Sequence, residues 1–333
     1  MRVLSQAKHL ISHVLVAFLL VAALPAATRA EPLEVRSAVL LLNPDQPDQG
    51  RVGRLTYMGG LILASDHGEF GGYSGIAVDA DGAGLWAIAD TGHWLRLDFS
   101  RNAIGLPERI AAAQILPLRD ANGAPITRKV LSDAESLRRL ADGRWLVSFE
   151  RAHRLWFYGE PGGPATATLE VPASVAQQPD NGGIEGVASF ANGELLMFSE
   201  EKPALVGGNK DDSAVWLLRG GQWHDLAWPA RDDFKPTDAV ALPNGDALLL
   251  QRYYTPLVGP KARISRIAAA DIQPGAVLKA TLLAEWARPV SVDNMEALDV
   301  RRAEDGSTWL YVMSDDNQNR LQRTLLMVFR LDP

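Results

Sequence analysis

Cysteine is absent from all 333 residues. That excludes disulfides, thiolate-held zinc, iron–sulfur clusters and a cysteine nucleophile. Histidine is scarce, and His67, His93, His153 and His224 share no common position in the repeats described below. A histidine-rich transition-metal site is therefore not expected. Basic charge is in deficit: 33 Lys and Arg stand against 40 Asp and Glu, a net charge of −7. Broad contact with nucleic acid or an anionic bilayer needs the opposite balance. Long hydrophobic runs are also missing, with one exception near the N-terminus. The rest is ordinary globular composition, 47% apolar and 22% charged, with 29 Gly and 20 Pro to make turns.

The exception is the run Val14–Ala27, preceded by Arg2 and Lys8 and followed by Thr28-Arg29-Ala30. This is the three-part pattern of a secretory signal peptide. The run is short for a permanent bilayer span. Residues 1–30 are read as the signal and 31–333 as one domain, exported to a bacterial periplasm or beyond. Residues 1–30 hold three basic residues and no acid, so the remainder carries 30 basic against 40 acidic residues, or −10.

That remainder repeats. Ser74–Asp79 leads through Asp81-Gly82 into Leu85–Asp90. Glu135-Ser136-Leu137 leads through Asp142-Gly143 into Trp145–Glu150. Glu185-Gly186-Val187 leads through Asn192-Gly193 into Leu195–Glu200. Thr237–Val240 leads through Asn244-Gly245 into Ala247–Arg252, and Glu296–Asp299 through Asp305-Gly306 into Trp309–Asp315. Each unit is an apolar strand, a turn whose residues tolerate positive φ, and a second apolar strand. Helical periodicity is weak after Glu31; the one candidate, Ser132–Leu140, aligns with strands elsewhere. All-β repeats of this length indicate a β-propeller. Dividing 303 residues by units of about 50 predicts six blades. The sixth is then a composite of strands from 35–65 and Thr324–Leu331, which closes the ring; a five-bladed ring is the alternative.

Acids recur at fixed repeat positions. Inner strands begin with Ser74, Glu135, Glu185, Thr237-Asp238 and Glu296. The next strands end with Asp90, Glu150, Glu200, Arg252 and Asp315. In an antiparallel pair these two ends share one edge, so both sets converge on one mouth of the central channel. So many carboxylates repel unless neutralised. A hard cation with oxygen ligands solves this, and Ca²⁺ takes six to eight. Asp90, Glu135, Glu150, Glu185, Glu200, Asp238, Glu296 and Asp315 are the candidate ligands. Glu185 and Glu135 are candidate general bases, and Arg252 and Arg323 are candidate anion holders. The expected substrate is a small anion, with no nucleic acid, no stable membrane insertion and a monomeric protein. Gly71-Gly72-Tyr73-Ser74-Gly75 resembles a serine elbow, but its serine holds the position that is Glu elsewhere. The tryptophans lie within strands and are read as wedges between blades.

Five segments carry a family resemblance: Gly72–Val78, Asp133–Leu137, Gly183–Ala188, Lys235–Ala239 and Asp293–Ala297. Ser314-Asp315-Asp316-Asn317 with Gln322–Leu326 completes it. Together they resemble the "esterase-like activity of phytase" family, over about Gly59 to Leu331. Ala297 and Gln251 depart from the family pattern, and the latter removes one possible ligand. The resemblance implies an exported propeller that hydrolyses phosphoesters. A propeller lactonase or sugar hydrolase, and a non-enzymatic envelope binding module, are the other readings.

Overall fold

Each Asp-Gly or Asn-Gly of the repeats closes a hairpin. Gly82, Gly143, Gly193, Gly245 and Gly306 all have φ between 70° and 87°, a region open to glycine and strained for other residues. The residue before each glycine fixes the turn. The side-chain oxygens of Asp81, Asp142, Asn192, Asn244 and Asp305 each accept the N–H two residues ahead, at 2.9 to 3.2 Å. This is the Asx turn that makes these residues frequent there.

The computed structural model describes residues 30–332 apart from 208, 210 and 231, with the side chain of residue 202 also left aside. The signal-peptide reading of residues 1–30 lies outside the described residues except for Ala30. Among the described residues no helix is long and apolar enough to cross a membrane.

The strands form a β-propeller of five sheets, not six. Every blade has four antiparallel strands in the same order. The inner strands are Tyr73–Val78, Ala134–Arg139, Ile184–Ser189, Lys235–Ala241 and Asn294–Arg302. Neighbouring inner strands touch in sequence, and the fifth touches the first. Blades one to four take their strands consecutively. In blade five, Asn294–Arg302, Thr308–Asp315 and Thr324–Leu331 are completed by the N-terminal strand Leu55–Ala64, with Leu63 opposite Thr324. The N-terminal strands are thus the outer part of the fifth repeat rather than a blade of their own. Glu31–Pro32, Arg36–Val39 and Arg51–Val52 only extend sheet edges. Long connections such as 118–133, 170–183 and 268–280 take up the length that the division by 50 assigned to a sixth blade.

Packing gives the same count. The buried apolar residues fall into five clusters, one at each junction between consecutive blades. The run Ala247-Leu248-Leu249-Leu250 shows how. Ala247 and Leu249 pack toward blade three, Leu248 and Leu250 toward blade five. A strand buried on both faces has no polar alternation. Tryptophans fill the first junction: Trp94 lies edge-on to Trp86, Trp145 and Tyr158 at centroid distances of 5.5 to 6.3 Å. The helix candidate is strand from Ala134 to Arg139, preceded by one helical turn, Lys129–Ser132.

Candidate active site at one channel mouth

A β-bulge sits at one equivalent position in all five inner strands. The pairing with the second strand skips Ser74, Glu135, Glu185, Thr237 and Glu296 in turn. A bulge inserts an unpaired residue and re-aims its side chain out of the sheet's alternation. Each blade therefore offers one side chain to the ring. Three of the five are glutamates.

The second acidic set lies at the same edge. The N–H groups of Asp90, Glu150 and Glu200 donate to the carbonyls of Gly72, Asp133 and Gly183, just before the bulges, at 2.8, 2.8 and 3.1 Å. Arg252 pairs with Lys235 and Asp315 with Asn294 across their ladders. The structure thus brings together Glu135, Glu185 and Glu296 with Glu150, Glu200, Arg252, Asp90 and Asp315.

Within this group one trio is tight. An oxygen from each of Asp133, Glu135 and Glu150 lies within 4.8 Å of the other two. Two oxygens on one calcium ion are at most about 5 Å apart, given Ca–O bonds of about 2.3–2.6 Å. The trio could therefore hold a metal ion through oxygen ligands alone. Asp133 is buried and firmly held: Lys129 Nζ lies 2.6 Å from Oδ1, and Arg151 donates to Oδ2. Glu150 accepts the backbone N–H groups of Gly182 and Gly183. Among the described residues no hydrogen bond is seen to the carboxylate of Glu135 or Glu185.

Electrostatics show what the ring lacks. Burial pushes the Glu135 and Glu185 carboxyls well above the usual range, and neighbouring carboxylates add to it. Burial pushes Glu296 up to about 8 even though Arg252 opposes it. Asp315 rises to about 7, again mainly through burial. At neutral pH without a cation, part of the ring holds protons. Arg252 is a cation set between two of the glutamates, 2.9 Å from Glu200 and 3.0 Å from Glu296. Glu296 above all holds its guanidinium in the charged form.

Two expected residues stand apart, and a third lies at the margin. Asp238 is fully buried deeper in the channel, where Arg138 and the N–H groups of Ala239 and Leu298 occupy its oxygens. It anchors the channel wall rather than joining the mouth. Arg138 also donates to carbonyls of Ile76, Leu137, Val187 and Ala239, so it meets four of the five inner strands. Arg323 lies at the rim, 3.7 Å from Asp293. Asp90 belongs to the edge of the group: Lys129 Nζ lies 2.6 Å from its Oδ2, while its Oδ1 is buried without a hydrogen-bond partner.

Asp133, Lys129 and Arg138 were not among the residues singled out from the sequence. Asp133 was visible two residues before the repeated Glu135. The aligned positions elsewhere are Gly72, Gly183, Lys235 and Asn294, so no repeat signal marks it.

Residues 68–318 match the family model described as phytase-like, esterase-like activity of phytase. No curated protein matches the sequence. Among solved structures, a luciferin-regenerating enzyme aligns at 12% identity with a TM-score of 0.40, covering 78% of this chain and 92% of that one.

Proposed function

We propose, since the chain belongs to the phytase-like family, that it is a hydrolase of phosphate esters that depends on a divalent cation, with Ca²⁺ the best candidate. The observation that carries this reading is the convergence of Asp133, Glu135 and Glu150 within 4.8 Å, beside an arginine held among glutamates. We place the reaction at the acidic mouth and take the protein as exported, monomeric and without residues 1–30. The pairing of 55–64 with 324–331 is taken as the clasp of the ring.

Asp133, Glu135 and Glu150 would hold the cation. A divalent cation there supplies a Lewis acid for a phosphoryl oxygen. The protein supplies the rest. Lys129 and Arg151 fix the Asp133 carboxylate, and the Gly182 and Gly183 amides fix Glu150, so these ligands are in place before anything binds. Arg252 presents charge to an anionic ester while Glu200 and Glu296 hold its position. Glu185 takes a proton from the attacking water as its oxygen bonds to phosphorus, and returns it to the alcohol oxygen that leaves as the ester P–O bond breaks; burial and its neighbours raise its affinity for that proton.

The test is turnover of a phosphomonoester, a phosphodiester, a carboxyl ester and a lactone, each with Ca²⁺ and with a chelator. Phosphoester hydrolysis that the chelator abolishes is the expected result. Turnover of the lactone alone replaces this reading with a lactonase. Cation binding with no turnover makes the chain a binding module.

A further inference from the structure

The two faces of the ring expose different side chains. On the acidic face, Leu131 lies in the helical turn before blade two and Leu205 in the loop after the second strand of blade three. Tyr254, Leu257 and Val258 form the hairpin tip of blade four, and Leu321 lies in the matching loop of blade five. Leu257 is 99% exposed and Leu321 88%. On the opposite face, the turns that join inner and second strands expose no large apolar residue, and the loops between third and fourth strands expose Ile104 and Val277. Isolated exposed leucines are common. Exposed apolar tips on the loops of four blades, all on one face, are not explained by the core.

Two observations bear on what covers them. The tips surround the channel on separate blades with polar residues between them. A protein partner calls for a continuous patch of about 800 Å² on each side, whereas a fluid lipid surface accepts separate wedges. Arg128 and Arg320 are exposed beside Leu131 and Leu321, which sets a cation at headgroup level next to an apolar insert.

We propose that the acidic face docks on a lipid surface through these loop tips, with the channel mouth turned toward the headgroups. This docking is independent of the hydrolytic reading.

The absence of cysteine supplies the experiment. In the full chain, Leu257→Cys, Leu321→Cys and, on the opposite face, Ile104→Cys each give one attachment point for a polarity-sensitive fluorophore. Vesicles of phosphatidylcholine, alone or mixed with phosphatidylglycerol, are then added. The labels at 257 and 321 should shift to the blue and the label at 104 should not, and because the mouth is acidic the phosphatidylcholine vesicles should act at lower lipid concentration than the anionic ones. Replacing Leu131, Leu257 and Leu321 together by Ser should weaken vesicle binding about tenfold or more. No shift at 257 and 321 on either vesicle overturns the proposal. So does an equal shift at 104, or vesicle capture through residues 14–27 that leaves the tip labels unmoved. A shift that grows with protein concentration alone, without lipid, assigns the face to a second copy of the chain.

Discussion

At one end of the channel the blades present Glu135, Glu185 and Glu296 from bulges. At the other they present five Asx turns with almost identical hydrogen bonds. Both ends descend from the same repeat, but only one varies from blade to blade. The turn positions keep Asp or Asn before Gly because each must satisfy the same backbone geometry. The bulge positions hold Ser, Glu, Glu, Thr and Glu because the bulge fixes where a side chain points and leaves its chemistry free. Uniform residues in this protein mark construction, and variable ones mark the candidate site. Between the two ends stands the Arg138–Asp238 pair, which belongs to neither.

The largest expected effect comes from removing that boundary. Arg138→Ala takes from Asp238 its cationic partner in a fully buried place. Breaking a buried pair costs about 3–5 kcal/mol, so the urea midpoint should fall steeply with the slope unchanged. A loss below 1 kcal/mol would mean that the two ends are already joined by water.

Next is the cation. Ca²⁺ at a hundredfold excess over its Kd should stabilise the fold by about 2.7 kcal/mol. Asp133→Asn and Glu135→Gln should each abolish this, and calorimetry with and without chelator reads it. A melting temperature indifferent to Ca²⁺ in the unmodified protein would remove the chemical distinction between the two faces.

The third effect is a pH dependence confined to the acidic end. Burial raises Glu296 from its ordinary 4.5 to about 8 and Asp315 from 3.8 to about 7. The folded state therefore holds protons that the unfolded chain has released. Stability without cation should fall as pH rises from about 4.5 to about 8. Glu296→Gln should flatten that fall, and Ca²⁺ should oppose it. Denaturant unfolding at pH 5, 7 and 9 in chelator checks the sign.

The smallest effect lies at the opposite end. Gly143 has φ of 87° with nothing near the place a Cβ would occupy, so Gly143→Ala pays only backbone strain of about 1–2 kcal/mol. It should leave the Ca²⁺ midpoint unchanged.

The propeller class, the turns and the convergence of most acidic positions were legible because strand alternation and antiparallel pairing act locally. The blade number was not. Sequence counts residues per repeat, while blade five borrows its outer strand from the other end of the chain. Asp238 was placed with the mouth because it follows Thr237 at the start of an inner strand. The bulge falls on Thr237, so Asp238 resumes the strand's alternation and faces Arg138. Arg138 itself sits in Leu137-Arg138-Arg139, which reads as solvated surface. Apart from Asp238, its partners are backbone carbonyls, three of them on other blades, and those leave no trace in side-chain identity.

The plug at Arg138 also bears on traffic. A channel stopped by a guanidinium bonded to four inner strands is a cup, not a tunnel. On the proposed function, whatever enters the acidic mouth leaves by the same opening, so product and incoming substrate would contend for one doorway and a rise in outside product would throttle the cycle directly. If the mouth faces a lipid surface, that doorway opens onto a thin layer of headgroups and water, where departure into the bulk becomes the slow step.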